Sequence, residues 1–254
     1  MRILNSVGVV TGGASGLGEG VARMLVAGGG QAAVFDLPGS RGEQLQSELG
    51  ERLFFVPMDI TSPDQVEEGV AAVVKRFGRI DVLVSAAGIS PAHRMVNRAG
   101  ALYPLDVFRK AIDVNLIGLI DVSRHVAKAM TANEPGPHGE RGLIVNVSSV
   151  AAFEGQKGQA AYTASKGAVA QLTLQLARDL AEFGIRVMAI APGIMDTPML
   201  ASIEDTRRQR LMDLHLFPKR LGTVDDFCAL VRTFMEVELL NAEVVRLDAG
   251  ARMG

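Results

Sequence analysis

The sequence predicts an α/β fold in which a parallel sheet carries helices on both of its faces. Seven short apolar stretches alternate with longer amphipathic stretches, as is typical of parallel strands joined by crossover helices. A glycine-rich turn directly follows the first apolar stretch and precedes a helical pattern. A length of 254 residues with 48% hydrophobic side chains suits one domain with a large core. We therefore expect a Rossmann-like, doubly wound sheet formed by a single domain over residues 1–254.

Each element follows from its local pattern of apolar and turn-forming residues. Strands are predicted at 7–10, 32–35, 53–56, 81–85, 142–147, 185–190 and 243–247. Helices are predicted near 17–28, 41–49, 63–77, 105–131, 161–182, 203–213 and 224–238. Three longer loops, 90–104, 132–141 and 194–220, interrupt the alternation.

Composition argues against several classes of protein. The net charge of −2 is poor for a general nucleic-acid binder, and the single Cys228 excludes an internal disulfide framework. No apolar run approaches the roughly 18 residues of a membrane span, and the chain enters its first strand without an obvious signal peptide. The four histidines show no metal-ligand spacing. We expect a cytoplasmic protein with no metal, no membrane association and no nucleic-acid partner.

The glycine-rich turn, from Thr11 to Gly18, has the composition of a phosphate-binding loop. Glycines allow a tight turn and close approach of a pyrophosphate, and the following helix offers unpaired N–H groups at its N-terminus. A glycine-rich string is weak evidence alone, but its place between a strand and a helix strengthens it. The candidate cofactor-binding residues of this turn are Gly12, Ser15, Gly16, Leu17 and Gly18.

The end of the second predicted strand favours NAD over NADP. Asp36 would accept hydrogen bonds from the adenosine ribose hydroxyls and repel a 2′-phosphate. No arginine follows it, since Leu37 and Pro38 come next, and Ser15 stands where a basic residue could meet that phosphate. The alternative is that Asp36 only caps a strand at the surface.

A tyrosine and a lysine four residues apart, Tyr162 and Lys166, are predicted to share one helix face. An ammonium group beside a phenol lowers the pKa of the phenol, which then exchanges a proton with an alcohol or a carbonyl. Ser149 lies upstream and can hold the substrate oxygen; Ser148 is the alternative, because adjacent strand-end residues point to opposite faces. Tyr162 could otherwise be a packed aromatic residue and Lys166 a solvated one. A tyrosine that can exchange a proton with an alcohol, together with a site for a dinucleotide, indicates a dehydrogenase.

Together these motifs resemble those of the short-chain dehydrogenase/reductase family over almost the whole chain. The resemblance implies that Lys166 also holds the nicotinamide ribose and that Asn115 holds a water that relays protons to it. It implies that Asp59 accepts from the adenine amino group, although Asp59 could equally cap the turn that follows. The other implied cofactor contacts are Ile60, Ala86, Ala87, Gly88, Tyr162, Pro192, Gly193, Ile194 and Thr197. The chain departs from the family in having Ala86 where an asparagine is usual, which removes a bracing hydrogen bond.

A closer likeness within the family, over residues 149–167 and 244–248, implies the substrate and the assembly. It implies NAD-dependent, reversible oxidation of an (S)-3-hydroxyacyl-CoA thioester by a homotetramer. Arg207, Arg208 and Arg210 are candidates for the coenzyme A phosphates, or else form a solvated helix face. The alternatives are a hydroxysteroid or other secondary-alcohol dehydrogenase, an NADPH-linked reductase, which Asp36 opposes, and a catalytically idle NAD-bound scaffold.

Overall fold

The computed structural model describes residues 1–200 and 205–252, with the side chains of 199 and 205–208 outside that description. Seven parallel strands form one sheet in the order β3-β2-β1-β4-β5-β6-β7. The strands are β1 Val7–Thr11, β2 Gln31–Asp36, β3 Leu53–Pro57, β4 Val82–Ser85, β5 Gly142–Val147, β6 Ile185–Pro192 and β7 Val244–Leu247. The predicted α/β class, the parallel sheet and its seven strands are confirmed.

The helices cover both faces of this sheet. They are α1 Gly16–Ala27, α2 Gly42–Leu49, α3 Pro63–Phe77, α4 Leu105–Ile112, α5 Leu119–Met130, α6 Ala160–Leu180, α7 Asp205–Asp213 and α8 Val224–Glu236. The helix predicted at 105–131 is present as one unbroken helical run, but its middle, Asp113–Gly118, is a π-helical turn between α4 and α5. No helix of the described ranges is long and apolar enough to cross a membrane.

The central strands β1, β4, β5 and β6 read as largely apolar runs because both of their faces are buried. Val10, Val34 and Val84 pack on one face beneath the helices that include α1 and α8. Val9, Leu83 and Ile144 pack on the other face beneath α3 and α5. Two apolar clusters therefore enclose the sheet and hold its carboxyl edge rigid.

The strand order reverses between β1 and β4, which places the functional residues together. Strands β2 and β3 lie on one side of β1, whereas β4 to β7 extend on the other. Ligands of open α/β sheets bind at the carboxyl ends of the strands beside such a reversal. Thr11, Asp36, Ser85, Val147 and Pro192 end their strands at this edge.

Candidate active site

The glycine-rich turn has no room for a side chain at Gly12, which faces the segment after β4, or at Gly18, which faces the turn itself. Gly12 has a φ of +64°, and a Cβ there would lie 2.8 Å from the Cα of Ala87. A Cβ on Gly18 would lie 2.3 Å from the carbonyl oxygen of Gly12. The Ala87 amide donates to Thr11 Oγ1 at 3.2 Å. Ala86, Ala87 and Gly88 therefore lie alongside the glycine turn, where the strand order reverses. Sequence reasoning did not identify this role of Thr11, although Thr11 is the first residue of the turn.

Helix α1 presents its N-terminus to this turn. Ser15 is the N-cap residue, and its side chain makes no capping hydrogen bond within the described part of the chain. Gly16 has a φ of +53°, and a Cβ there would lie 3.8 Å from Thr197 Cβ and 3.7 Å from Pro198 Cδ. The loop after β6 therefore approaches the start of α1, where Leu17 is partly buried. The glycine turn, the helix N-terminus and this loop form a cradle that fits a pyrophosphate.

Asp36 lies beside the cradle and is held in place by two backbone amides. The Ala14 amide donates to Asp36 Oδ2 at 2.9 Å, and the Leu37 amide donates to Asp36 Oδ1 at 2.8 Å. The carboxylate is thus fixed next to the glycine turn, as a ribose-binding role requires. Leu37 is exposed at 55%.

Asp59 caps the turn that leads into α3, as its alternative interpretation predicted. Its Oδ1 accepts from the amide and the hydroxyl of Thr61, at 2.9 and 2.7 Å. Ile60 is buried against Gly118, whose Cβ would lie 2.9 Å from Ile60 Cγ1. A cavity of about 610 Å³ opens beside both residues, so an adenine contact remains a prediction alongside the turn-capping role.

The π-helical turn carries Asn115 into the interior, where it is fully buried. Its Oδ1 accepts from the Ile89 amide at 2.8 Å, and its Nδ2 donates to the Ile89 carbonyl at 2.9 Å and to Ser165 Oγ at 3.0 Å. A Cβ on Gly88 would lie 3.2 Å from Asn115 Oδ1 and 3.4 Å from Lys166 Nζ. Asn115 therefore ties the segment after β4 to α6, through a serine that sequence reasoning missed.

Of the two serines after β5, Ser149 is the one that reaches Tyr162. Ser148 is buried and donates through Oγ to the backbone carbonyl of Lys166 at 2.8 Å. Ser149 Oγ accepts from the Ala151 amide at 3.1 Å and hydrogen bonds with the Tyr162 side chain. The structure thus separates the two serines as the alternation of strand-end residues predicted.

Burial is the main influence on the pKa values of Tyr162 and Lys166. Burial raises the pKa of the Tyr162 hydroxyl above its ordinary value, and the hydrogen bond with Ser149 offsets part of this rise. Burial also lowers the pKa of Lys166 to about 8. Lys166 is 3% exposed, and its Nζ donates to the Val147 carbonyl at 2.7 Å and lies 5.9 Å from the centroid of the Tyr162 ring. Burial is therefore the largest influence on the pKa of Tyr162 in this structure, and the effect of the Lys166 charge on that pKa stays a prediction.

The segment after β6 closes the other side of the site. The Gly193 amide donates to the Leu247 carbonyl at 2.9 Å, and a Cβ on Gly193 would lie 2.7 Å from Asp248 Cβ. Ile194 is buried, and the Gly222 amide donates to its carbonyl at 3.0 Å. Pro192, Gly193, Ile194 and Thr197 thus lead from the sheet edge to the glycine turn. Their contacts with a cofactor stay predictions, as do the roles of the other site residues.

The described residues offer no group of three or more His, Cys, Asp or Glu side chains that could hold a metal ion. Of the arginines considered for coenzyme A, Arg207 and Arg208 have side chains outside the described residues, and Arg210 is exposed. The fold and the glycine turn define a dinucleotide-dependent oxidoreductase, in which proton transfer by Tyr162 stays a prediction.

Comparisons with known proteins agree with this class. The model of the short chain dehydrogenase family matches residues 6–208. The chain is 47% identical over 248 residues to human 3-hydroxyacyl-CoA dehydrogenase type-2, covering 97% of this chain and 95% of that protein. It is 44% identical to the Drosophila melanogaster enzyme of the same name, covering 99% of both. The crystal structure of 3-hydroxyacyl-CoA dehydrogenase type-2 from Mycobacterium avium superposes with a TM-score of 0.94 at 40% identity, covering 98% of this chain and 97% of that one. The chain belongs to the short-chain dehydrogenase family, whose members use a nicotinamide cofactor.

Proposed function

We propose that this enzyme oxidises an (S)-3-hydroxyacyl-CoA to a 3-oxoacyl-CoA with NAD, reversibly. The observation that carries the proposal is the contact of Ser149 with Tyr162 one helical turn from the buried Lys166. Relatives at 44 and 47% identity over nearly the whole chain are named 3-hydroxyacyl-CoA dehydrogenases, which supports this substrate class.

Asp36 supports NAD rather than NADP. Its carboxylate is fixed beside the glycine turn by the amides of Ala14 and Leu37. A carboxylate there offers acceptors to the ribose hydroxyls and repels the dianionic 2′-phosphate of NADP. The positive end of α1 and the glycine turn would hold the pyrophosphate.

The side chains around Tyr162 can perform the proton chemistry of alcohol oxidation. The bound nicotinamide supplies the hydride acceptor. Ser149 Oγ accepts from the Ala151 amide, so its own hydroxyl hydrogen can be donated to the substrate oxygen. The Tyr162 phenolate takes the hydroxyl proton of the substrate, and the neutral phenol returns it in the reverse direction.

Lys166 and Asn115 would complete this machinery. With a pKa of about 8, Lys166 is largely charged at neutral pH, where its charge favours the phenolate during turnover. Asn115 fixes the Ile89 backbone and Ser165 beside Lys166, in a position from which an ordered water can pass a proton.

The loop at 90–104 supports an anionic substrate. It contains Arg94 and Arg98 but no acidic residue, and both arginines are exposed. The amide of His93 donates to the Gly158 carbonyl at 2.8 Å, which brings the loop to the chain leading into α6, next to the exposed Lys157. A cationic rim of this kind attracts the phosphates of coenzyme A and offers nothing to a steroid.

Charge reversal tests this substrate class. For Arg94→Glu/Arg98→Glu we expect KM for acetoacetyl-CoA to rise about tenfold, the equivalent of 1.4 kcal/mol, with KM for a nucleotide-free acetoacetyl thioester unchanged. Arg52→Glu, at the amino edge of the sheet, is the control and should change neither. A wild-type enzyme that prefers a steroid or another CoA-free ketone would instead support the secondary-alcohol alternative.

We also propose a homotetramer and a cytoplasmic location. Leu105, Ile117 and Leu174 are exposed at 59, 55 and 44% on α4, the π-helical turn and α6. Such apolar side chains suit pairing of these helices with a second copy, and the C-terminal strand region would form another interface. Light scattering at micromolar concentration should give the mass of four chains; a stable monomer would contradict this.

A further inference from the structure

We propose that Arg246, on the last strand of the sheet, is a positioning residue that fixes three segments of the chain relative to one another. The inference rests on the proposed dehydrogenase activity but concerns a residue that touches neither cofactor nor substrate. We call these segments walls: the segment after Ser149 and the loop after Pro192 both begin at proposed site residues, and the third is the segment around Leu216.

The first wall is reached through a glutamate. Arg246 Nη1 donates to Glu154 Oε1 at 2.8 Å, and the guanidinium lies 5.4 Å from the centroid of the Phe153 ring. These two residues follow the short 3-10 turn Val150–Ala152 that Ser149 caps, and they precede α6 with Tyr162. Arg246 thus holds the connection between the two side chains proposed to contact the substrate oxygen.

The second wall is reached through Asp248. Arg246 Nε and Nη2 both lie 2.7 Å from Asp248 Oδ2. Asp248 lies directly behind Gly193. A Cβ added to Gly193 would lie 2.9 Å from the Cα and 2.7 Å from the Cβ of Asp248. The position of Asp248 therefore determines where the chain leaves β6 toward the glycine turn.

The third wall is reached through the chain that follows β7. Arg246 Nη2 donates to the Ala251 carbonyl at 3.0 Å, and the Gly250 amide donates to Asp248 Oδ1 at 3.0 Å. These bonds fix Ala249 and Gly250 with φ values of +50° and +75°. The Ala249 carbonyl accepts from the Leu216 amide at 2.9 Å, so this turn supports the segment between α7 and α8.

One guanidinium group therefore bonds two carboxylates, and all three side chains have little access to water. The exposed fractions of the side chains are 23% for Arg246, 19% for Glu154 and 7% for Asp248. The planar, five-donor guanidinium suits this branched role, which an ammonium group cannot reproduce. Arg252 is 63% exposed and approaches both carboxylates only to 3.4 Å, so it compensates weakly.

The decisive experiment compares Arg246→Met with Arg186→Met. Arg186 is even less exposed, at 9%, and it bonds Glu140 and the carbonyls of Val237 and Leu240, but it lies at the start of β6, far from the catalytic edge. For Arg246→Met we expect kcat to fall about 10–100-fold from misalignment of Ser149 and Tyr162, with a smaller rise in the Kd for NADH from the loop after Pro192. Arg186→Met should lose thermal stability without this loss of kcat.

Chemical rescue separates positioning from stability. Millimolar guanidinium ion should restore part of the kcat of Arg246→Met. The Arg246→Lys variant should recover little of the wild-type kcat, because an ammonium group lacks the planar set of donors. A fall in kcat equal to that of Arg186→Met, with no guanidinium rescue, would overturn the proposal. Should Arg246→Met fail to fold, Glu154→Gln, which removes one charge without changing shape, must lower kcat in the same direction.

A second measurement does not depend on turnover. Amide hydrogen exchange in Arg246→Met should increase together in 150–159, 193–198 and 214–218, and Arg186→Met should leave these segments unchanged. Increased exchange in only one segment would contradict the proposal. If the wild type fails to turn over acetoacetyl-CoA, the proposed substrate is wrong, but the exchange result still decides the role of Arg246.

Discussion

Lys166 donates its Nζ hydrogen to the Val147 carbonyl at 2.7 Å and lies beneath the ring of Tyr162, 5.9 Å from its centroid. The lysine thus spans from the end of β5 to the proposed acid/base while being 3% exposed. An ionisable group confined in this way is held for function at a cost in stability.

Replacing Lys166 by methionine should therefore stabilise the protein while abolishing activity. Burial lowers the pKa of Lys166 from 10.5 to about 8, so the folded state disfavours its charge. Below pH 8, we expect Lys166→Met to gain about 1–3 kcal/mol in the free energy of unfolding, less the cost of the Val147 carbonyl left without its donor. Between pH 8 and 10.5 the folded lysine deprotonates first, so the gain should shrink as pH rises.

Chemical denaturation of both proteins at pH 7 and pH 10 measures this gain. A variant that is less stable than the wild type by the same amount at pH 7 and at pH 10 would contradict a penalty from the buried charge. Lys128→Met, on the exposed face of α5, controls for general effects of removing a lysine.

Tyrosinate absorbance can test the raised pKa of Tyr162 directly. The chain has two tyrosines and no tryptophan, so the difference between wild type and Tyr162→Phe isolates one phenol. Burial raises this pKa, so the cofactor-free protein should show the Tyr162 transition above pH 10. A transition below pH 9 would mean that the charge of Lys166 outweighs burial, as the residue spacing alone had suggested.

Tyr162→Phe should remove proton transfer without removing the dinucleotide site. We expect kcat to fall about 10²–10⁴-fold, the typical contribution of a general acid/base, with NADH binding retained. Tyr103→Phe is the matched control, because the Tyr103 hydroxyl is buried without a hydrogen-bond partner in the described residues. Comparable losses in both variants would refute a special role for Tyr162.

Asp36→Ala should relax the choice between NAD and NADP. Removing a fixed negative charge beside the glycine turn should raise kcat/KM for NADPH and lower it for NADH, changing the ratio by about tenfold or more. Rates measured with both cofactors provide the test. An unchanged ratio would mean that Asp36 only braces Ala14 and Leu37.

The sequence predicted the sheet well because its central strands are buried on both faces and therefore read as largely apolar runs. It also predicted that Ser148 and Ser149 point to opposite faces, which follows from the two-residue period of a strand, whereas the preference for Ser149 rested on the family resemblance. It did not predict the π-helical turn at Asn115, since the residues around this turn have ordinary helical periodicity. Nor could it predict that burial dominates the pKa of Tyr162, because desolvation depends on packing from distant segments.

Initial rates of acetoacetyl-CoA reduction, measured with NADH and with NADPH beside a steroid ketone, distinguish the proposed activity from its alternatives. We expect rapid, NADH-dependent turnover of the thioester, with little turnover from NADPH. Turnover of the ketone without turnover of the thioester would contradict the proposed substrate, and a preference for NADPH would contradict the role of Asp36.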